Sequence, residues 1–238
     1  MNNAKETHRT GRPHAEEGPE TESRTVESGP AGAAALRPSA GRPPRPLPPD
    51  HSQAILEATK HVAAIIKTSG YPFALAGSVA AHAHGVPVVL QHDTDFCIRR
   101  EDVEGVVAAL REGDVEFVPA AEDWLVKARA SGEGVDLIYE LARRPVTAEM
   151  LARAPMLPVE SVRMPMLAPY DLLSSQLAAL SEQHCDFGPL LHIGRTLRER
   201  IDWDKLRDEY QQEPLPDAFF YLLERLGVID PGPREAVS

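Results

Sequence analysis

The sequence lacks several features that define particular classes of protein. It has only two cysteines, Cys97 and Cys185, which excludes a framework of disulfide bonds. No apolar run in its 238 residues approaches the ~18 residues that a membrane-spanning helix needs. The N-terminus also lacks the charged-then-apolar pattern of a secretory signal. These absences predict a cytoplasmic protein with no membrane partner.

Basic residues are in short supply. The chain has 25 Lys and Arg against 36 Asp and Glu, for a formal net charge of -11. Residues 1–50 contain seven bases and seven acids, so the whole excess of negative charge belongs to residues 51–238. Non-specific binding to a nucleic-acid backbone depends on Lys and Arg, and an acidic body of this kind disfavours it. A local basic pocket is still compatible with this composition.

Large apolar residues are scarce in residues 1–50, which also hold nine of the 22 prolines. Such a segment buries too little apolar surface to offset the entropy that ordering would cost. We therefore expect residues 1–50 to form a disordered, proline-rich tail that ends in a polyproline II spacer. Residues 231–238 are expected to be a flexible C-terminus.

The remaining sequence divides into a mixed part, 51–167, and an all-helical part, 168–230. In the mixed part, apolar spacing predicts helices at 53–66, 79–84, 101–111 and 146–152, with Asp50 or Ser52 as the first cap. It predicts strands at 73–76, 94–98, 115–118, 124–130 and 135–141, with an edge segment at 161–167. The later helices are expected at 170–182, 187–200, 203–211 and 217–226. The predicted fold is α/β: a short mixed sheet with flanking helices, followed by an α-helical C-terminal subdomain.

The first candidate site feature is Gly77-Ser78, at the junction of a predicted strand and a predicted helix. Glycine lets a ligand approach the backbone closely, and a helix start presents free N–H groups. Ser78 can cap the helix or bond a phosphate oxygen. A tight turn with an ordinary cap would explain the same residues.

The second feature is the pair Asp93 and Asp95 in one predicted strand. Alternate residues of a strand share a face, about 7 Å apart along the backbone. Two carboxylates on one face repel each other and are costly to bury, and Mg²⁺ removes both problems. The competing explanation is a solvated strand end that happens to carry two acids.

The third feature is Asp136, a single acid inside an otherwise apolar predicted strand. Alone, it could be a surface acid on an edge strand. Beside Asp93 and Asp95, it completes the set of carboxylates that holds two metal ions, one for nucleotide phosphates and one for an incoming hydroxyl.

Together, Gly77-Ser78, Asp93-x-Asp95 and Asp136 resemble the nucleotidyltransferase superfamily of the polymerase-beta type. The resemblance implies transfer of a nucleoside monophosphate (NMP) group from a nucleoside triphosphate (NTP) to an acceptor. Gly77 and Ser78 would bind the nucleotide. Asp93, Asp95 and Asp136 would be catalytic and would bind two Mg²⁺ ions, or Mn²⁺ in their place.

Residues 167–180 and Asp186 resemble the segment that follows the catalytic domain in the AbiEii/AbiGii toxin-like branch. That resemblance implies an RNA such as a tRNA, a protein or a small molecule as acceptor and an antitoxin protein as partner. The chain departs from the branch at Gln91 and Gln176, where basic residues are common. The candidate phosphate partners are then Arg99, Arg100, Lys127 and Arg129.

Three alternatives remain open from the sequence. The chain could be a catalytically inactive module of the same fold that binds a nucleotide or a partner. His82, His84 and His92-Asp93 resemble in outline the ligands of an HD-type phosphohydrolase, a family that places its His-Asp pair on a helix. The run from His184 to Asp186 could bind a metal, but a loop with Asp186 as an N-cap explains it better.

We predict that deleting residues 1–50 leaves the thermal midpoint of unfolding unchanged within error, because the segment has almost no apolar surface to bury. Differential scanning calorimetry of the full chain and the truncated chain measures this. A loss of several degrees would show that the tail docks on the folded part.

Overall fold

The computed structural model describes residues 49–90 and 93–232. The predictions for the tail up to residue 48 and for residues 233–238 lie outside the described residues, as does Gln91. The described residues belong to one compact unit, residues 44–238. None of the helices in these described ranges combines the length and apolar character that crossing a membrane requires.

Eight α-helices and nine strands make up the described chain. The helices are α1 (Pro49–Thr68), α2 (Gly77–Ala83), α3 (Val103–Glu112), α4 (Ala148–Ala152), α5 (Pro169–Ala178), α6 (Phe187–Leu197), α7 (Trp203–Tyr210) and α8 (Pro214–Arg225). The strands are β1 (Ala74–Leu75), β2 (Asp93–Cys97), β3 (Glu116–Val118), β4 (Leu125–Ala130), β5 (Glu133–Ile138), β6 (Glu140–Leu141), β7 (Arg144–Pro145), β8 (Met156–Val159) and β9 (Val162–Pro165). The α/β part and the helical C-terminal part that the sequence predicts are both present.

Five strands form the central sheet, in the order β1-β2-β5-β4-β3. Strand β2 pairs with β5 in parallel, and the other neighbours pair antiparallel, so the sheet is mixed as predicted. Strands β4 and β5 form a hairpin. Its turn residues Ser131 and Gly132 both have positive φ, 53° and 87°, which suits a two-residue hairpin turn.

Helix α1 covers one face of the sheet and packs on β2, β4, β5 and α3. The hydroxyl of Thr59 in this helix lies 3.0 Å from the hydroxyl of Thr94 in β2, and both residues are fully buried. Thr94 and Phe96 therefore face the helix. Because successive strand residues point to opposite faces, Asp93 and Asp95 point away from it.

The helical part is joined to the sheet beside β1. The backbone N–H of Leu167 donates to the carbonyl of Leu75, at 2.8 Å, and Met166 forms a parallel bridge with the same residue. The ring Nε2 of His84, at the end of α2, lies 2.8 Å from the carbonyl oxygen of Leu167. Helix α5 therefore starts from a fixed point next to the end of β1.

Several predicted boundaries differ from the structure, and the strand predicted at 135–141 is divided between β5 and β6. Helix α1 begins at Pro49, inside the segment expected to be tail, so Ser52 lies within the helix and does not cap it. Proline suits the first helical position because its φ is already set. The segment 161–167, expected as an isolated edge, contains β9, which pairs antiparallel with β8 in a separate hairpin.

Candidate active site

The candidate site lies on the face of the sheet opposite α1. The parallel register of β2 and β5 places Asp95 directly beside Asp136. Asp93 precedes Asp95 by two residues and shares its face, opposite Gly134 of β5. The structure thus brings the three predicted carboxylates onto one face of two adjacent strands.

Gly77 adjoins this face. The N–H of Ala76 donates to the carbonyl oxygen of Asp95, at 2.9 Å, which ties the start of α2 to β2. Gly77 has a φ of +56°, and a Cβ placed on it would lie 1.8 Å from Oδ2 of Asp95. A side chain at position 77 would therefore collide with the carboxylate. Ser78 follows, half-buried, as the second residue of α2.

Asp95 has a strongly perturbed carboxyl group. Burial, with repulsion from Asp136 and Asp93, raises its pKa to about 7, while Lys127 acts in the opposite direction. Perturbation of this kind, from burial together with like charges in one place, is typical of functional sites. The ionised form of Asp95 is held at a cost that a bound cation would remove.

Lys127 supplies the counter-charge for the third carboxylate. It lies opposite Asp136 in the antiparallel pairing of β4 with β5, and its Nζ is 3.1 Å from Oδ2 of Asp136. Burial raises the pKa of Asp136, with Asp93 and Glu122 adding to the effect and Lys127 opposing it. The hydrogen bond with Asp136 in turn raises the pKa of Lys127.

The four candidate phosphate partners separate into two groups. Lys127 lies on the carboxylate face, and Arg129, two residues further along β4, shares that face across from Gly134 and Asp93. Arg99 instead donates two hydrogen bonds to Asp102, at 2.6 and 2.9 Å. Arg100 stacks over the ring of Tyr139, at 4.7 Å. Only the two residues of β4 are therefore placed beside the carboxylates.

The arrangement does not favour an HD-type site. Asp93 lies in a strand rather than on a helix, and His92 lies outside the described residues. His84 is buried against the Leu167 carbonyl, whereas His82 is exposed. Asp186 caps α6 as predicted, accepting a hydrogen bond from the N–H of Gly188 at 2.8 Å.

The carboxylate face suits a hard divalent cation by its donor chemistry, since Mg²⁺ and Mn²⁺ prefer oxygen ligands. The raised pKa of Asp95 shows that negative charge there is under-compensated. Within residues 49–90 and 93–232, however, no group of three or more His, Cys, Asp or Glu side chains is arranged as a ready-made metal site. Metal binding by Asp93, Asp95 and Asp136 thus stays a prediction.

The sequence analysis did not identify Glu122, and it could not decide which of the four candidate cations lies at the carboxylates. Glu122, in the loop before β4, acts electrostatically on both Asp136 and Lys127, but nothing in its local pattern distinguishes it from other surface acids. Lys127 was one of four candidate cations. The pairing register of β4 with β5 alone singles it out, and a register is not readable from either strand by itself.

Comparisons with known proteins give only distant likenesses. No protein-family profile and no curated protein matches the chain. The crystal structure of ANT(2'')-Ia in complex with adenylyl-2''-tobramycin is similar at 14% identity and a TM-score of 0.47, covering 70% of this chain and 97% of that one. The solution structure of the antibiotic-resistance factor ANT(2'')-Ia is similar at 16% identity and a TM-score of 0.46. The match covers 75% of this chain and 96% of that one.

A third similar structure is JHP933 from Helicobacter pylori, at 13% identity and a TM-score of 0.37, covering 73% of this chain and 87% of that one. Likenesses at these identities and TM-scores do not establish a shared activity. The chemistry of this chain has to be argued from its own site.

We predict that Asp95→Asn stabilises the protein in metal-free buffer above pH 7. The folded-state pKa of about 7 lies above the ordinary aspartate value. Ionised Asp95 therefore destabilises the fold fully above pH 7, and the effect fades as the pH falls towards 4. Urea unfolding should show a gain of up to about 4 kcal/mol at pH 8 and almost none at pH 4.

The matched control is Asp208→Asn, an exposed acid on α7, which should show no such dependence on pH. A loss of stability in Asp95→Asn at pH 8 would contradict the prediction. It would mean that the carboxylate is a structural hydrogen-bond acceptor.

We predict that Lys127→Met destabilises the metal-free protein at pH 8 by about 1 kcal/mol, because it leaves the largely buried Asp136 carboxylate without its counter-charge. Lys127→Arg should restore most of the loss. In the Asp136→Asn background, Lys127→Met should cost little, since no charge is left unpaired. Equal effects in both backgrounds would show that Lys127 acts through packing alone.

Proposed function

We propose that the protein is a nucleotidyltransferase that moves an NMP group from an NTP to an acceptor and releases pyrophosphate. One observation carries the proposal. The carboxylate of Asp95 lies against the backbone of Gly77 and beside Asp136 and Asp93 on one face of the sheet. This arrangement supports the proposal, because three acids on one face add repulsion to the fold that a phosphate-bound cation would relieve.

The nucleotide end of the site would be formed by Gly77, Ser78 and the cations of β4. Gly77 has no side chain to keep a phosphate away from the backbone, and its φ of +56° is one that other residues rarely adopt. Lys127 and Arg129 point to the same face and can bind phosphate oxygens. They would supply the positive charge that basic residues at positions 91 and 176 commonly supply in the toxin-like branch and that Gln91 and Gln176 lack.

The acceptor end would depend on Asp136. In the reaction, an acceptor oxygen attacks the α-phosphorus, the bond from that phosphorus to the bridging oxygen of the β-phosphate breaks, and pyrophosphate leaves. The acceptor proton passes to a carboxylate. Burial raises the pKa of Asp136, which makes its carboxylate a better proton acceptor.

Asp93, Asp95 and Asp136 would hold the divalent cation, Mg²⁺ or Mn²⁺, with two ions as the expected number. When bound, it would supply charge neutralisation on the triphosphate and on the attacking oxygen. Lys127 would then be free of its ion pair with Asp136 and available to the phosphates. The divalent cation would take the place of the Lys127 ammonium at Asp136, so the largely buried carboxylate would stay paired with a positive charge.

Charge favours a small cationic acceptor. The folded part of the chain carries the whole net charge of -11, and Glu122 adds negative potential at Asp136 and Lys127. A cationic small molecule would be attracted to such a surface, whereas a tRNA would need a local basic groove. Protein acceptors, a toxin role and an antitoxin partner follow only from the resemblance of residues 167–180.

The second candidate function is an inactive module that binds a nucleotide without transferring it. Gln91 and Gln176 motivate this alternative, because they replace basic residues common in the toxin-like branch. Both candidates bind an NTP, so transfer of label from the NTP separates them.

We predict that the full chain transfers label from an α-³²P-labelled NTP, in the presence of Mg²⁺ or Mn²⁺, to a component of a cell extract. Labelled products are separated by size into nucleic acid, protein and small molecule, and purified cationic small molecules, aminoglycosides among them, are then tried as acceptors. Asp93→Asn, Asp95→Asn and Asp136→Asn should each lower the transfer at least about 100-fold.

The controls are Asp208→Asn, an exposed acid of α7, and Arg99→Met, whose guanidinium is bound to Asp102. Both should leave transfer within about twofold. Binding of the NTP without transfer to any fraction would establish the inactive module. Neither binding nor transfer would overturn both candidates.

A further inference from the structure

The structure contains a cavity of about 320 Å³. Its walls come from the β6–β7 hairpin and from helices α4, α5 and α7. None of the five site residues discussed above lines it. The volume is at the lower end of the range for ligand cavities, about 300–1,000 Å³, which fits a small metabolite rather than a polymer.

Three cations and two acids line this cavity. Arg153 donates two hydrogen bonds to the carboxylate of Asp171, at 2.7 and 2.5 Å, and Asp171 is almost completely buried. Arg144 is paired with Glu209. The acids are therefore each matched by one arginine.

Lys205 is the surplus cation. Its ammonium lies 4.3 Å from the centre of the Tyr170 ring, and no carboxylate among the described residues forms an ion pair with it. The cavity thus has a net charge of about one positive unit at neutral pH, on a protein that is otherwise strongly acidic. A cation–π contact leaves the ammonium able to accept an anion as well.

The rest of the lining is apolar or carries hydroxyl groups. Leu141, Met150 and the ring of Tyr170 provide a surface for a flat or apolar group, and Ser174 and Ser175 add hydroxyls. A small organic anion would suit both the charged and the apolar parts of the lining. Its anionic group would lie at Lys205, and its body would pack against Leu141, Met150 and Tyr170.

The hairpin that forms one wall has a strained backbone. Leu141 and Arg144 are partners across the hairpin, and the two residues between them, Ala142 and Arg143, have φ of 46° and 69°. Turns of this kind ordinarily use Asn-Gly or Asp-Gly. Ser131 in the β4–β5 turn also has a positive φ, so this geometry defines the shape of the hairpin wall and does not by itself indicate a ligand.

We propose that this cavity binds a small organic anion, a carboxylate or phosphate ester with a flat or apolar body, at a site separate from the carboxylate face. Lys205 holds the oxyanion, and Tyr170 and the β6–β7 hairpin hold the body. The proposal does not depend on the proposed transferase activity. A purely structural network of ion pairs between α4, α5 and α7 is the competing explanation.

The test uses the full chain without metal and phenyl phosphate and benzoate as probes, titrated by ligand-observed NMR. We expect saturable binding of at least one probe, with a Kd on the order of 1 mM, while benzyltrimethylammonium, of similar size and opposite charge, does not bind. Lys205→Met should weaken binding at least about fivefold. The matched control Lys67→Met, an exposed lysine at the end of α1, should not change it.

A second variant, Ser175→Phe, fills the cavity and should abolish binding, with circular dichroism reporting that the fold is kept. Lys127→Met distinguishes the two sites, because it removes a cation from the carboxylate face and leaves the cavity intact. The proposal is overturned if neither anion binds at 10 mM, a test concentration of about ten times the expected Kd. It is equally overturned if binding survives Lys205→Met, or if it is lost in Lys127→Met and kept in Lys205→Met.

Discussion

The site depends on the parallel pairing of β2 with β5. This pairing sets Asp95 beside Asp136 on one face of the sheet. Burial, with repulsion from Asp136 and Asp93, raises the pKa of Asp95 to about 7. The fold tolerates the repulsion because Lys127, from the next strand, reaches Asp136. A divalent cation at this face, as proposed, would relieve that repulsion.

The connection between β1 and α2 brings a backbone surface to the same place. The chain can pass close to the Asp95 carboxylate only because residue 77 has no side chain and can adopt a positive φ. One hydrogen bond, from Ala76 to the carbonyl of Asp95, fixes the distance between the two segments. Gly77 and Asp95 are therefore one structural unit, although eighteen positions separate them in the sequence.

The helical part is positioned through a short stretch of backbone. Leu167 pairs with Leu75 next to the end of β1, and His84 contacts the carbonyl of Leu167. Because α5 starts from that stretch, its residues Tyr170 and Asp171 meet α4 and α7 at the cavity described above. The contact between Leu167 and Leu75 thus positions α5, which lines the cavity, next to the end of β1, which leads into Gly77.

The sequence by itself predicted the helices and the strands of the central sheet, because apolar periodicity and turn residues are local properties of the chain. It did not predict β7, β8 or the division of 135–141 into two strands. It also identified the three acids, since a charge inside an apolar strand is conspicuous without any partner. Only the tertiary structure decided that Lys127 reaches Asp136 while Arg99 does not, because strand register depends on pairing between distant segments. The sequence did not reveal the cavity for the same reason. Its lining comes from four separate segments, and none of them carries a recognisable motif alone.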